Sequence, residues 1–329
     1  MPVREVLKKL YKQKFPFSFV YHSAYWMLRL GKHVFPPQKY RLLFEKLLIM
    51  GVLKENLILS RPATDEELSL VHAEKYLKKI HSGKLSSSEQ AFLELPFSPE
   101  IRDFALLSVG GTIQAAESAL EGHLSVHIGG GFHHAYPDHG EGFCLLNDVA
   151  VATQKLIVEG RVNKVMIVDG DVHQGNGTAA VFRGRQDVFT FSIHQMDIYP
   201  AHKEKSSLDI GLWSGDGDDK YLEALQSNFP RLYDEFKPEL VFYLAGADPY
   251  CRDQLGGLRL TKKGLMDRDL LILEGAKERN IPLVVLLAGG YAFDVADTVS
   301  IHFNTIQAAR KIYKQRILKD GHRKWIRWR

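Results

Sequence analysis

The side chains able to do chemistry crowd into the stretch from His127 to Gly177, in two short pieces. The first, His127-Ile-Gly-Gly-Gly-Phe-His133-His134, ends an expected strand in glycines and then sets two imidazoles side by side. The second, Val165-Met-Ile-Val-Asp169-Gly-Asp171-Val-His173-Gln-Gly-Asn176-Gly, is a β-branched run that stops at alternating polar residues. Strand side chains alternate faces, so an extended backbone here puts Asp169, Asp171 and His173 on one face. Catalytic zinc takes three protein ligands from imidazole nitrogen and carboxylate oxygen and leaves a position for water. Asp171, His173 and Asp248, the last in Gly246-Ala-Asp248, would supply such a set. Asp-x-His is a weak motif by itself: alone, Asp248 reads as a helix cap and His173 as a hydrogen-bonded loop residue. Their recurrence at strand ends beside a His-His pair favours a metal site.

The elements that must position these groups read as an alternation. Strands are expected at residues 17–23 and 57–60, at Val165, and at the apolar runs Val188–Ile193, Leu240–Ala245 and Ile281–Leu287. Amphipathic periodicity predicts helices over Lys39–Gly51, with Leu42, Leu43, Leu47 and Leu48 on one side, and over Asn147–Glu159. Thr64-Asp-Glu-Glu67 is a capping-box pattern, so a helix is expected to start there and run through Val71-His72, with His72 a packed or surface residue. Ser108–Leu120 reads as a helix opened by Gly110-Gly111, and the Ser-rich stretch Ser82–Ser98 as an exposed loop. Strands alternating with helices imply an α/β fold: one open parallel sheet with helices on both faces. Ligands of such sheets bind beyond the carboxyl ends of the strands, which is where the polar groups fall, His194 and Gly289-Gly290-Tyr291 included.

Composition narrows the class. The chain has 329 residues, 45% hydrophobic and 25% charged, enough for a large core, and no linker divides it, so residues 1–329 read as a single domain. A net charge of +4 gives little push toward nucleic acid. Cys144 and Cys251 make neither a disulfide framework nor a cysteine zinc cluster. The N-terminus lacks a signal-peptide pattern and no run is long enough for a membrane span, so a cytoplasmic protein is expected. The basic tail from Lys311 to Arg329, with Trp325 and Trp328, reads as a solvated helix end packing its indoles.

Gly129-Gly-Gly-Phe-His-His134, Gly142-Phe-Cys144, Asp169-Gly-Asp-Val-His-Gln-Gly-Asn-Gly177, Gly246-Ala-Asp248 and Ala288-Gly-Gly-Tyr291 stand in the order and spacing of one family. From about Phe17 to about Ala309 the chain resembles the zinc-dependent histone deacetylases of the arginase-deacetylase fold, most closely their class IV branch. The resemblance implies one zinc ion on Asp171, His173 and Asp248, with His133 and His134 as catalytic imidazoles and Tyr291 as the hydroxyl that polarises the acyl carbonyl. It backs His133 with Asp169 and puts Asn176 where many members carry an aspartate, which implies a lower pKa for His134 than in those relatives. A potassium ion is implied on backbone carbonyls around Asp169, Asp171, His173, Ser192 and Ile193. Gly142, Phe143 and Leu255 match the wall of an acyl-lysine tunnel, whose facing residue is Ile198 or Tyr199; Cys144 reads as packing beneath the site. The implied substrate is an acylated lysine of a protein or peptide.

Three rivals share parts of this pattern. An acetylpolyamine amidohydrolase would keep every catalytic residue and act on a small acylated amine, though the 82–98 loop offers only Glu89 and Glu94 as acidic residues. An arginase-like binuclear enzyme needs a carboxylate where Tyr250 stands. An inactive acyl-lysine binding module would not need Tyr291 and both histidines.

Overall fold

A computed structural model describes residues 15–314; the first fourteen residues and most of the basic tail, with its tryptophans, lie outside them. Strands β1 (Ser18–Tyr21), β2 (Leu57–Leu59), β3 (Leu124–His127), β4 (Val165–Asp169), β5 (Val188–Gln195), β6 (Leu208–Leu212), β7 (Leu240–Leu244) and β8 (Leu283–Leu286) form one sheet in the order β2-β1-β3-β8-β7-β4-β5-β6. Every pair is parallel. Strands β3, β4, β7 and β8 are buried at every position, as a sheet covered on both faces requires.

The helices, in chain order, are α1 (Gln38–Ile49), α2 (Asp65–Leu68), α3 (Glu74–Ser82), α4 (Ser87–Leu93), α5 (Pro99–Gly122), α6 (Asp148–Val158), α7 (Asn176–Val181), α8 (Asp218–Asn228), α9 (Pro230–Phe236), α10 (Lys262–Glu278) and α11 (Val295–Lys314). Helix α5 packs on β1, β3, β8 and α6, while α10 packs on α8 and α11, and α11 on α1. Among the described residues no helix is long and apolar enough to cross a membrane.

Topology puts the site in the middle of the sheet. The chain leaves β3 and jumps to β4, and the later strands β7 and β8 fill the space between them. In register, His127, Leu286, Leu244, Asp169 and Ser192 make one row across the carboxyl edge. The loops that follow four of these strands therefore start level with one another, at the crevice where open α/β sheets bind ligands.

Several expectations need correction. The stretch 82–98 is not all loop: Ser86 caps α4 in a full capping box with Glu89, and Leu93 and Leu95 are buried. Helix α5 starts at Pro99, so Gly110-Gly111 lie inside it rather than opening it. They are there for close approach: a Cβ at Gly110 would lie 1.9 Å from the Arg61 carbonyl, and one at Gly111 would lie 2.5 Å from His127 Nε2. Helix α2 keeps its predicted capping box but stops at Leu68, and His72 is buried beyond it. Edge strand β6 carried too little apolar signal to be expected. On α1 the buried side is Lys39, Tyr40, Leu43 and Leu47, with Leu48 exposed.

Candidate active site

Strand β4 ends at Asp169, so Asp171 and His173 do not share a strand face with it. Tight turns gather them instead. Asp169 Oδ1 accepts the Asp171 N–H at 3.1 Å, and Asp171 Oδ1 accepts the His173 N–H at 3.0 Å, each carboxylate folding back on the backbone two residues ahead. From the loop after β7, Asp248 Oδ1 accepts the Val172 N–H at 3.0 Å. From the loop after β8, the Gly289 N–H donates to Asp171 Oδ2 at 2.9 Å.

The three ligand atoms of Asp171, His173 and Asp248 lie within 4.8 Å of one another, and all three residues are buried. His173 Nδ1 is 3.1 Å from Asp171 Oδ1 and 3.7 Å from Asp248 Oδ2. That Asp248 oxygen is buried without a hydrogen-bond partner. Burial, then the neighbouring Asp171, pushes the Asp248 carboxyl up to about 7. Two crowded carboxylates and an imidazole, with one oxygen unmatched, are a donor set that a divalent cation satisfies and zinc suits. The close approach of the backbone here requires glycine: a Cβ on Gly289 would fall 1.9 Å from Asp248 Oδ2.

Beside this group stand the two imidazoles, in different electrostatic settings. Burial alone would depress His133, but Asp169, whose Oδ2 is 2.6 Å from His133 Nδ1, raises it to about 9, aided by Asp171. His134 sits with Nδ1 at 2.6 Å from Asn176 Oδ1. Burial, then the charges of His133 and His173, hold it well below its ordinary value. The two Nε2 atoms are 3.1 Å apart. Their loop is tied down by Asp148, which accepts the Gly131 and Phe132 N–H groups at 2.9 and 2.7 Å.

Above them runs a cavity of about 230 Å³ lined by Phe143, Tyr199, Leu255, Tyr291 and Glu94. Tyr199, not Ile198, faces Phe143, and its ring stands edge-on to His134 at 5.0 Å. Buried Tyr291 packs 5.8 Å from the Phe143 ring, and its N–H donates to Asp253 Oδ2 at 2.7 Å. Burial pushes its hydroxyl well above the usual phenol range, so it stays a proton donor. Cys144 lies buried beneath, its thiol also raised by burial. Ser192 pairs in register with Asp169, and its Oγ contacts His194 at 2.9 Å, so His194 serves the strand end rather than the metal group. A larger open groove of about 870 Å³ beside Arg185, Lys205 and Phe236 holds none of these groups.

Three charged residues around the site escaped the sequence reading. Lys39 is buried, donates to the Ala288 carbonyl at 2.9 Å, and stands 5.6 Å from the Tyr291 ring; burial lowers it to about 8. Arg268, also buried, donates from Nη1 to the carbonyls of Gly170 and Gly246. Glu141 faces Asn176 and Tyr199. Lys39 and Arg268 look on the helices like solvated charges, and no periodicity separates them from those.

An eight-stranded parallel sheet with this edge constellation is an α/β fold of the arginase-deacetylase type, and the solved HD domain of HDA15 matches it with a TM-score of 0.74, 22% identity, and coverage of 91% of this chain and 90% of that one. The family model for the histone deacetylase domain matches residues 33–306. An uncharacterized protein of Picosynechococcus is 40% identical, covering 90% of this chain and 99% of its own length. Histone deacetylase 2 of Arabidopsis thaliana is 33% identical over 83% of this chain and 74% of its own, and a histone deacetylase-like amidohydrolase of Pseudomonas aeruginosa 30% over 70% and 65%. The chain belongs to the histone deacetylase family.

Proposed function

We propose that this chain is a cytoplasmic, class IV-like deacylase, one catalytic domain over residues 1–329 with its core at about 17–309, that removes acetyl or longer acyl groups from lysine side chains of proteins or peptides. The observation that carries the reading is the pairing of a charged and a neutral imidazole, His133 on Asp169 and His134 on Asn176, beside the Asp171, His173 and Asp248 group at the base of an aromatic-walled cavity. Zinc held by those three residues would supply Lewis acidity and lower the pKa of a bound water from about 15.7 toward roughly 7. His134, neutral and fixed by Asn176, takes the proton as water attacks the amide carbonyl. Tyr291 donates to the developing oxyanion, a contact of the kind typically worth about 3–4 kcal/mol. A protonated imidazole, His133 or His134, then delivers a proton to the leaving amine, giving a carboxylate and a free amine. Phe143 and Tyr199 clasp the flat acyl-lysine stem, with Leu255 and Gly142 completing the slot. Potassium on the carbonyls of Asp169, Asp171, His173, Ser192 and Ile193 would brace the β4 and β5 ends.

A small acylated amine is the second reading, supported by Glu94 at the cavity, where a carboxylate suits a polyamine. Zinc-loaded protein should hydrolyse one of two series, acetyl- to myristoyl-lysine peptides or acetylpolyamines, and Tyr291→Phe should lose most turnover while keeping zinc. Zinc-bound protein inert toward both series would favour an acyl-lysine binding module.

A further inference from the structure

We propose that Glu141 is a positioning residue that couples the proton acceptor of the site to the wall of its tunnel; this rests on the reading of His134 as that acceptor. The backbone around Glu141 is fixed at both ends. Glu141 and Cys144 exchange N–H to carbonyl hydrogen bonds of 3.0 and 2.8 Å across Gly142-Phe143. Both enclosed residues have positive φ, +50° and +69°, the pattern of a two-residue hairpin turn. The turn is docked on the end of α4, where the Gly142 and Phe143 N–H groups donate to the carbonyls of Phe92 and Leu93 at 3.0 and 2.8 Å.

From that anchored position Glu141 Oε1 accepts two hydrogen bonds, from the Tyr199 hydroxyl at 2.5 Å and from Asn176 Nδ2 at 3.2 Å. His139 Nε2 lies 3.5 Å from Oε2. Burial pushes this carboxyl up, but hydrogen bonds from His139, Tyr199 and Asn176 outweigh it and hold Glu141 below its ordinary value. The side chain is therefore an anion at neutral pH and a strong acceptor.

Consider what each bond does. An asparagine amide has two orientations, and only its partners decide between them. With Nδ2 toward Glu141, and toward the Tyr136 hydroxyl at 3.3 Å, Oδ1 is left to accept from His134 Nδ1 at 2.6 Å. A flipped amide would set oxygen against the carboxylate and NH2 against the ring N–H. Glu141 thus fixes Asn176, and Asn176 fixes His134 in the Nδ1–H tautomer with its Nε2 lone pair turned to the site. Glu141's second bond holds the Tyr199 ring against His134 and opposite Phe143. Gly142 permits this packing, since a Cβ there would lie 2.8 Å from the Tyr199 hydroxyl and 2.9 Å from His134 Cδ2.

Steady-state kinetics of the zinc-loaded full chain on an acetyl-lysine peptide tests the coupling. Asn176→Ala should lower kcat alone and Tyr199→Phe should raise KM alone, whereas Glu141→Ala should do both, each by about tenfold or more. Glu141→Gln, which keeps an acceptor oxygen, should recover most of both constants. The double variant Glu141→Ala/Asn176→Ala should have the kcat of Asn176→Ala, because the two act in series. Multiplicative kcat losses in the double variant, or unchanged constants in Glu141→Ala, would overturn the inference while leaving the proposed function standing. Absence of Tyr291-dependent turnover in the wild type would remove that function and this inference with it.

Discussion

At the scale of single residues, Asn176 is where this site departs from a charged histidine relay. A neutral amide orients His134 and favours its cation less than an anionic partner would, and burial already holds that imidazole low. Asn176→Asp puts an anion 2.6 Å from Nδ1, so the His134 pKa rises. Because His134 must be neutral to accept a proton, the acidic limb of kcat/KM should move to higher pH, by about one unit or more. Superimposable limbs in the two proteins would remove the idea. Asp248→Ala should instead abolish zinc binding, measured as metal content after dialysis, and zinc at wild-type stoichiometry would dismiss Asp248 as a ligand. The residues in these experiments were legible because the motifs that carry them stand in the order and spacing of one family, and the resemblance implied their roles. Glu141 was not: its role depends on a turn that brings it against Asn176 and Tyr199, neighbours 35 and 58 residues away.

Among the elements, the strands were readable and the way they gather the site was only partly so. Apolar runs marked β4, β7 and β8 because a sheet covered on both faces buries both sides of each of these strands. The one-face argument for Asp169, Asp171 and His173 failed because β4 ends at Asp169 and carboxylate-capped turns take over. Helix α4 was hidden inside a Ser-rich stretch although Ser86-Ser-Ser-Glu89 carries the same capping chemistry as Thr64–Glu67. Helix α10 has a part in the site through Arg268, which grips the carbonyl just before Asp171 and the one two residues before Asp248, at 2.9 and 2.8 Å. Asp269 orients it at 3.0 and 2.9 Å, and the Thr305 hydroxyl on α11 donates to Asp269 at 2.6 Å. Arg268→Met should free both loops and strand Asp269, costing about 3–5 kcal/mol of stability. Zinc affinity by chelator competition should fall by about 10–100-fold, as for lost outer-shell partners of metal ligands. A variant that melts cooperatively and holds zinc as tightly as wild type would show that the clamp is dispensable.

For the whole molecule, buried histidines away from the metal group tie folding to pH. His72 accepts the Asn147 N–H at Nε2, 3.0 Å away, and its Nδ1 is 3.1 Å from the Tyr136 carbonyl, so it ties the segment just after His134 to the N-cap of α6. His127, at the end of β3, bridges the Tyr25 hydroxyl at 2.9 Å and Thr112 at 3.0 Å. Burial lowers His72 to about 4 and His127 to about 3. In the unfolded chain both take up protons near pH 6.5, which the folded protein refuses, so the unfolded state binds more protons below that pH. The stability these neutral imidazoles contribute is full above about pH 6.5 and is lost as pH falls toward about 4, each group adding a slope of up to about 1.4 kcal/mol per pH unit. Denaturant unfolding at stepped pH should show that decline, and His72→Gln, which cannot titrate, should flatten it by about one proton's worth. An equal slope in wild type and variant would mean that His72 is protonated in the folded protein. The predicted decline also has a local consequence: as His72 gains its proton it loses the acceptor for the Asn147 N–H, and the tie between the segment after His134 and the start of α6 is released.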